Sequence, residues 1–186
     1  MEKYLASSTY IDWTYPDVQS LAARLGQSVE GTEAIAQTCF EFVRDEIRHS
    51  TDASDQILTA KASEVLHSGT GFCYAKSHLL AALLRANGIP AAMCYQRLRG
   101  ETRFTLHGLN AVHLGKAGWY RIDPRGNKPG VDAQFCPPHE QLAFELGDGE
   151  EDIPGYWAEP APSVIRVLTQ CADVDIAARQ LPAVTE

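Results

Sequence analysis

The sequence predicts an α+β fold in which helices come first and an antiparallel sheet follows. Up to about residue 87, apolar residues recur at helical spacing of three and four. After Gly88-Ile89-Pro90 the pattern changes to alternation of apolar and polar residues, which is typical of strands. Because helices and strands are segregated along the chain, an α+β arrangement is favoured over a doubly wound parallel sheet.

Four helical segments are predicted before the strands. Residues 16–26 begin with Pro-Asp and end with Gly, the usual asymmetry of helix ends. Residues 32–48 carry one apolar face, and residues 62–67 are expected to form a helical turn. A segment from about 73 to 87 is apolar on most sides, so it is expected at the centre of the core. The apolar face of the second segment consists of Ile35, Cys39, Phe42, Val43 and Ile47.

The second half of the chain is predicted to contain strands, loops and a terminal helix. AAMCYQRL reads as a strand, and LHGLNAVHL and WYRIDP read as a hairpin joined by GKAG. From Arg125 the chain is rich in Gly, Pro, Asn and Asp, and residues 148–162 are predicted to be loop. Residues 163–181 are predicted to form a helix. We expect one domain over residues 1–186, with its core at about 30–125 and a C-terminal loop and helix at 126–186.

Composition restricts the classes of function. A formal net charge of -8 and the lack of a basic stripe disfavour nucleic-acid binding. The sequence shows no apolar run of about 20 residues and no signal-peptide pattern, so a cytoplasmic protein with no membrane partner is expected. Five cysteines without a CxxC pair disfavour a disulfide framework and a cysteine zinc site, and no cofactor or metal is expected.

One cysteine lies where a loop becomes a helix. In GTGFCYAKSHLL, two glycines precede Cys73, which opens the predicted core helix. The unpaired N–H groups and the positive dipole end at a helix N-terminus stabilise a thiolate, the nucleophilic form of cysteine. A buried structural thiol is the simpler interpretation of a lone cysteine. Cys73 needs a base and an orienting acceptor to be a nucleophile.

The predicted hairpin supplies both partners. His107 begins its first strand, and Asp123 ends its second. Their midpoint is Gly115, the first residue of the turn, so the two side chains are expected to lie roughly opposite each other. An imidazole–carboxylate hydrogen bond is then within reach, and Cys73, His107 and Asp123 are the predicted catalytic residues.

These motifs together resemble the core of the transglutaminase-like superfamily of papain-like cysteine enzymes. The resemblance rests on GTGFCYAKSHLLAALLRANGIPA followed by HGLNAVHLGKAGWYRIDPRGN. It implies a papain-like or transglutaminase-like core and acyl-transfer chemistry. Carried over residue by residue, Cys73 matches the nucleophile, His107 the general base and Asp123 the residue that orients it. The resemblance is strongest from about residue 64 to 125.

Several other residues are candidates for lesser roles. His113 is the rival base, but its partner across the hairpin is expected in the turn, near residues 116–118. His78, His49 and His67 are interpreted as structural, and Trp119 as core. Tyr95 and Gln96 on the first strand are candidates for polar contacts near the thiol, with a solvated strand face as the simpler alternative. Arg125, Asn127 and Lys128, in the loop after Asp123, are either solvated or bind a carboxylate at the mouth of the site.

The predicted substrate is a peptide or another amide. Hydrolysis is favoured over transfer to an amine, because the sequence offers no evident amine-donor site and lacks the extra domains of large crosslinking members. Two alternatives remain: a catalytically idle binding module with this fold, and an acyltransferase that uses a thioester donor. The sequence does not indicate an oligomeric state.

Overall fold

The computed structural model describes residues 1–100 and 102–186. It confirms the predicted fold class, with helices packed against an antiparallel sheet. Four α-helices precede the sheet and lie close to their predicted bounds: α1 Pro16–Gln27, α2 Thr32–Glu46, α3 Ala62–Ser68 and α4 Cys73–Ala86. The last predicted helix is divided into two helices, α5 Pro162–Gln170 and α6 Val174–Arg179.

The main sheet consists of four strands, β3 Ala91–Arg99, β4 Phe104–His113, β5 Trp119–Ile122 and β8 Glu151–Trp157. Their order in the sheet is β5-β4-β3-β8, and each pair of neighbouring strands is antiparallel. Two small sheets flank it. They are formed by β1 Arg48–His49 with β2 Thr70–Gly71, which pair in parallel, and by β6 Gln134–Cys136 with β7 His139–Gln141.

Helix α4 is the centre of the core, as its composition predicts. It packs against α1, α2 and α3 on one side and against β4 on the other, and every residue from Cys73 to Arg85 is buried. Its buried polar side chains need partners, because a buried polar group without a hydrogen bond is costly. Arg85 donates to the carbonyls of Ala6, Ala91 and Ala158, at 2.6 to 3.1 Å.

The assignment of residues 148–162 to a loop is wrong, because Glu151–Trp157 forms the edge strand β8. The sequence does not indicate this strand because Pro154 and Gly155, residue types that are uncommon inside strands, interrupt its alternating pattern. Proline is tolerated at a sheet edge, where its missing N–H is not needed by a neighbour. Between the pairs Met93–Trp157 and Tyr95–Ile153, β3 advances two residues and β8 advances four, so the irregularity lies in β8, where Pro154 and Gly155 are found.

Two predicted helix ends are also wrong. The terminal helix predicted at 163–181 is interrupted at Cys171, whose backbone is extended, and α6 begins anew with the Asp173 side chain accepting from the N–H of Ile176. Helix α2 ends at Glu46 rather than at residue 48, because Arg48–His49 pairs with Thr70–Gly71. Sheet pairing thus replaces the last helical turn. Within residues 1–100 and 102–186, no helix is long and apolar enough to cross a bilayer.

The start of α4 lies directly against β4 at Gly108. A Cβ atom at this position would lie 2.6 Å from Tyr74 Cδ1 and 3.2 Å from Tyr74 Cα. Both distances are too short for a methyl group, so glycine is required by packing. Tyr74 fixes the same contact by donating its hydroxyl to the carbonyl of Leu106.

We therefore expect Gly108→Ala to lower the free energy of unfolding by about 1–3 kcal/mol through overpacking. Chemical denaturation with urea measures this value. Gly147→Ala is the matched control, because the nearest atom to its new methyl group belongs to the flexible side chain of Glu150. Equal losses of stability in the two variants would contradict the proposed close approach.

Candidate active site

Cys73 is the first residue of α4, and its side chain is nearly enclosed. The preceding residue, Phe72, has extended backbone and supplies no side-chain cap to the helix. The thiol is only 7% exposed, and the N–H of Gly108 lies 3.5 Å from its sulfur. The helix end and this N–H therefore both direct positive partial charge at Cys73 Sγ.

His107 and Asp123 form a buried hydrogen-bonded pair. His107 Nε2 lies 2.7 Å from Asp123 Oδ2, and the two residues are 5% and 0% exposed. The carboxylate also accepts from the N–H of Arg125 at 3.1 Å and from the N–H of Ala143 at 3.1 Å. These three bonds hold Asp123 in one orientation, and Nδ1 of His107 is left for the thiol.

The structure thus brings the three predicted site residues together, but by a hairpin register different from the predicted one. Asn110 pairs with Ile122 and Val112 pairs with Tyr120, which places the centre of the turn at Lys116 rather than Gly115. Continued by one residue, this register puts Asp123 beside Leu109. The predicted centre of the turn is therefore wrong by one residue, His107 and Asp123 are offset by two positions, and the expected imidazole–carboxylate hydrogen bond is formed.

The two residues are instead diagonal neighbours on one face of the sheet. Residue pairs of this kind have Cβ atoms roughly 7–8 Å apart, a distance that aromatic side chains can span. The imidazole ring spans it here. The shift arises because residues Gly115–Ala117 form a 3₁₀ turn, after which Gly118 adopts a positive φ of 80°.

His107 and Asp123 each stabilise the charged form of the other. Burial alone lowers the pKa of His107, but the charges of Asp123 and Cys73 and hydrogen bonds to both raise it to about 10. Burial raises the pKa of Asp123, and the opposing effect of His107 outweighs it, so this pKa is lowered. The site therefore favours an imidazolium beside a carboxylate. A raised pKa of His107 contributes stability below about pH 6.5, and the contribution is lost as pH rises toward 10.

A segment that the sequence analysis missed covers this pair. The ring of Phe144 packs edge-on against the imidazole of His107, with centroids 5.0 Å apart and planes at 89°. The neighbouring residue, Ala143, provides the N–H bound to Asp123. Residues 142–146 lie in irregular backbone after β7, so no periodic pattern signals their contact with the hairpin.

Three of the other candidate histidines lie in the surroundings expected of structural residues, and His49 is the exception because it packs against Phe72, next to Cys73. His113 pairs with Trp119 across the hairpin, just beyond the turn positions predicted for its partner, and their rings are 5.4 Å apart. Fully buried His78 forms a hydrogen bond through Nδ1 with the carbonyl of Ala60 at 2.7 Å. His49 contacts Thr51 through Nδ1, and His67 is exposed on α3.

Three of the remaining polar candidates form hydrogen bonds within the fold. The Tyr95 hydroxyl accepts from the N–H of Ala161, so its polar atom is used within the fold. Gln96 pairs with His107 across β3 and β4 and donates to Asp152 at 3.0 Å. Asn127 binds the backbone of Ala133 and shapes its own loop.

A family profile and solved structures place this architecture among known proteins. A mixed helix and antiparallel-sheet fold with a thiol at the head of the central helix defines the papain-like class. The profile of the Transglutaminase-like superfamily matches residues 19–124, more than half of the chain. The chain belongs to this superfamily. The matched region begins within α1 and includes all three predicted site residues. No curated protein sequence matches significantly.

Solved structures share the fold at low sequence identity. A candidate cysteine protease from Cytophaga hutchinsonii is 20% identical with a TM-score of 0.53, covering 66% of this chain and 40% of that one. The periplasmic domain of TgpA from Pseudomonas aeruginosa is 22% identical with a TM-score of 0.51, covering 65% and 45%. Its ethylmercury-bound form gives 19%, 0.52, 65% and 46%. The chain thus spans less than half the length of these structures.

The pairing of His107 with Asp123 predicts that the substitution Asp123→Asn lowers the pKa of His107. Because the carboxylate makes the largest contribution that raises the pKa of His107, its loss leaves burial opposed only by Cys73, and the pKa falls from about 10 toward 6.5. At about pH 8 the ring is then protonated in the wild type and neutral in the variant.

Titration of the ring nitrogens by ¹⁵N NMR measures this pKa. Asp148→Asn, at an exposed residue of the loop before β8, is the matched control and is expected to leave it unchanged. A pKa of His107 that is the same in Asp123→Asn as in the wild type would refute the assigned pairing.

Proposed function

We propose that this protein is a cysteine-dependent hydrolase of peptide-like amides, with Cys73 as nucleophile, His107 as general acid and base, and Asp123 as the residue that orients His107. The observation that carries the proposal is the 2.7 Å bond from His107 Nε2 to Asp123 Oδ2, formed on the strand whose next residue, Gly108, contacts Cys73 Sγ. This is the arrangement of nucleophile, base and orienting group used for acyl transfer.

In the first half of the reaction, the Cys73 thiolate attacks the amide carbonyl carbon and forms a C–S bond. Unpaired N–H groups at the start of α4 stabilise the negative charge that develops on the carbonyl oxygen. Imidazolium His107 then donates its proton to the amine nitrogen, the C–N bond breaks, and a thioester remains on Cys73. The raised pKa of His107 ensures that this proton is present at neutral pH.

In the second half, neutral His107 takes a proton from water as the water oxygen attacks the thioester carbonyl. The C–S bond breaks, the carboxylic acid leaves, and the thiolate–imidazolium pair is restored. Asp123 keeps the same ring nitrogen of His107 bound throughout, so Nδ1 faces the reacting atoms in both halves.

Membership of the superfamily and the fold of the structural neighbours support a cysteine enzyme. They do not identify a substrate, because their identity to this chain is at most 22% and the chain spans only part of each. We favour an amide over an ester or a thioester as the substrate because its amine is a poor leaving group, which needs the proton that His107 carries.

An activated Cys73 is expected to react with iodoacetamide at mildly acidic pH, at about pH 6, at least tenfold faster than the other cysteines. Peptide mass spectrometry measures the rate at each thiol. Cys136 is the internal control because it is exposed, whereas burial raises the pKa of Cys39 and of Cys94 to about 12.

Labelling of Cys73 no faster than Cys136 would defeat the proposal. Labelling that persists while a broad panel of amides, esters and peptides is left intact would instead favour an idle binding module. An acyl adduct formed from thioesters but never from amides would select an acyltransferase.

A further inference from the structure

A pocket of about 360 Å³ lies beside the candidate active site and concentrates positive charge. Its walls are the end of α2, the segment from β1 into the next loop, one side chain of α4 and the loop that follows Asp123. Because the whole chain carries a formal net charge of -8, this concentration is a local exception. The cations that line it are Arg44, Arg48, Lys76, Arg125 and Lys128, against the carboxylates Asp45 and Asp52.

The pocket is joined to the predicted catalytic residues at three points. Lys76 follows Cys73 by three residues on α4, about 4.5 Å along the helix axis and on a neighbouring part of its surface. The N–H of Arg125 binds Asp123. The ring of His49 packs edge-on against Phe72, next to Cys73, with centroids 6.0 Å apart. The charge of Cys73 also acts on Lys76, so the thiol and the pocket influence each other electrostatically.

The pocket already holds a carboxylate of this chain. Arg125 binds both oxygens of Asp52, with Nη1 2.6 Å from Oδ2 and Nη2 3.2 Å from Oδ1, and Lys128 Nζ lies 2.7 Å from Oδ1. Burial raises the pKa of Asp52, and the bonds from Arg125 and Lys128 outweigh it, so the pKa is lowered. Bidentate arginine with a second cation is geometry suited to carboxylate recognition.

The cations are not all neutralised by the carboxylates that they touch. Arg44 binds Asp45 at 2.7 Å and Arg48 binds Asp55 at 3.1 Å, which accounts for two of the five. Arg125 and Lys128 share the single charge of Asp52. One positive charge of this pair is left over.

Lys76 adds a buried amine that has no carboxylate partner. Its ammonium donates to the carbonyls of Arg44 and Ile47, neither of which carries a charge. Burial, and then the nearby charge of Arg125, lower the pKa of Lys76 to about 7, so an entering carboxylate would favour its protonated form. The pocket therefore has room and charge for a second carboxylate beside Asp52.

We propose that this pocket binds a carboxylate of the substrate, so that the substrate of the proposed amide hydrolase is an acidic peptide. The inference rests on the proposed function and adds the chemical class that the site selects. Lys128 and Arg125 bind the incoming carboxylate, and Lys76 supplies charge beneath it. Either a glutamate side chain or a terminal carboxylate carries this chemistry.

Three alkylating reagents test the preference on the intact protein: iodoacetyl-Gly-Glu-amide, its neutral isostere iodoacetyl-Gly-Gln-amide, and iodoacetyl-Gly-Gly with a free terminal carboxylate. In each case Cys73 sulfur attacks the iodomethyl carbon, the C–S bond forms, the C–I bond breaks and iodide leaves with the bonding pair. Peptide mass spectrometry gives the second-order rate constant at Cys73. The two carboxylate reagents distinguish a side-chain from a terminal source.

At least one carboxylate reagent is expected to react roughly threefold to thirtyfold faster than the glutamine reagent. A solvent-exposed ion pair accounts for the lower end of this range, and a partly desolvated ion pair accounts for the upper end. The ratio is expected to fall by about threefold in Lys128→Gln and to stay unchanged in Lys116→Gln, a lysine in the turn between β4 and β5. Because both variants keep His107, the comparison removes the attraction that its imidazolium exerts on any anion.

Asp52→Asn gives a result of opposite sign. Loss of the resident carboxylate frees Arg125 and Lys128, so the preference for a carboxylate reagent is expected to rise. Equal rates for all three reagents in the wild type, or a ratio that Lys128→Gln leaves unchanged, would overturn the carboxylate subsite. Slow labelling of Cys73 by iodoacetamide would overturn the proposed function instead, so the two failures are distinguishable.

Discussion

The approach of α4 to β4 at Gly108 is the contact on which the candidate site depends. Its N–H lies 3.5 Å from Cys73 Sγ, and a side chain here would collide with Tyr74. Because His107 is the preceding residue of the same strand, one backbone contact brings the thiol and the imidazole into the same small volume. The burial of α4 from Cys73 to Arg85 holds the helix in this position.

The polypeptide after β5 completes the site from both sides of Asp123. Arg125 and Ala143 donate backbone N–H groups to the carboxylate, and Phe144 covers the imidazole that it binds. The superfamily profile ends at residue 124, so these groups lie outside the part of the chain that the family pattern describes. The covering segment, and Arg125 and Lys128 of the cationic pocket, thus lie in loops placed on the shared scaffold, which is where members of a superfamily differ most readily.

Local patterns predicted the helices and the hairpin that pairs His107 with Asp123, because each depends on spacing within a short stretch or on a single turn. The meeting of this pair with Cys73, 34 residues before His107, was implied by the family resemblance. Other distant contacts left no signal in the sequence. Strand β8 forms because β3 offers it a free edge, despite Pro154, and the contact of Phe144 with His107 joins residues 37 positions apart without any periodic signal. The hairpin register depended on one 3₁₀ turn, which residue counting could not reveal.

The central claim, that Cys73 carries the acyl group of an amide substrate, is tested most directly by rapid-quench intact-mass measurement during turnover of a peptide amide. The account predicts a transient adduct with the mass of the acyl group, mapped to Cys73, formed also in Cys136→Ala and absent from Cys73→Ala. His107→Ala should form it roughly 10²–10⁴-fold more slowly. Amide turnover that continues in Cys73→Ala, or that proceeds with the acyl group on no cysteine, would contradict the account.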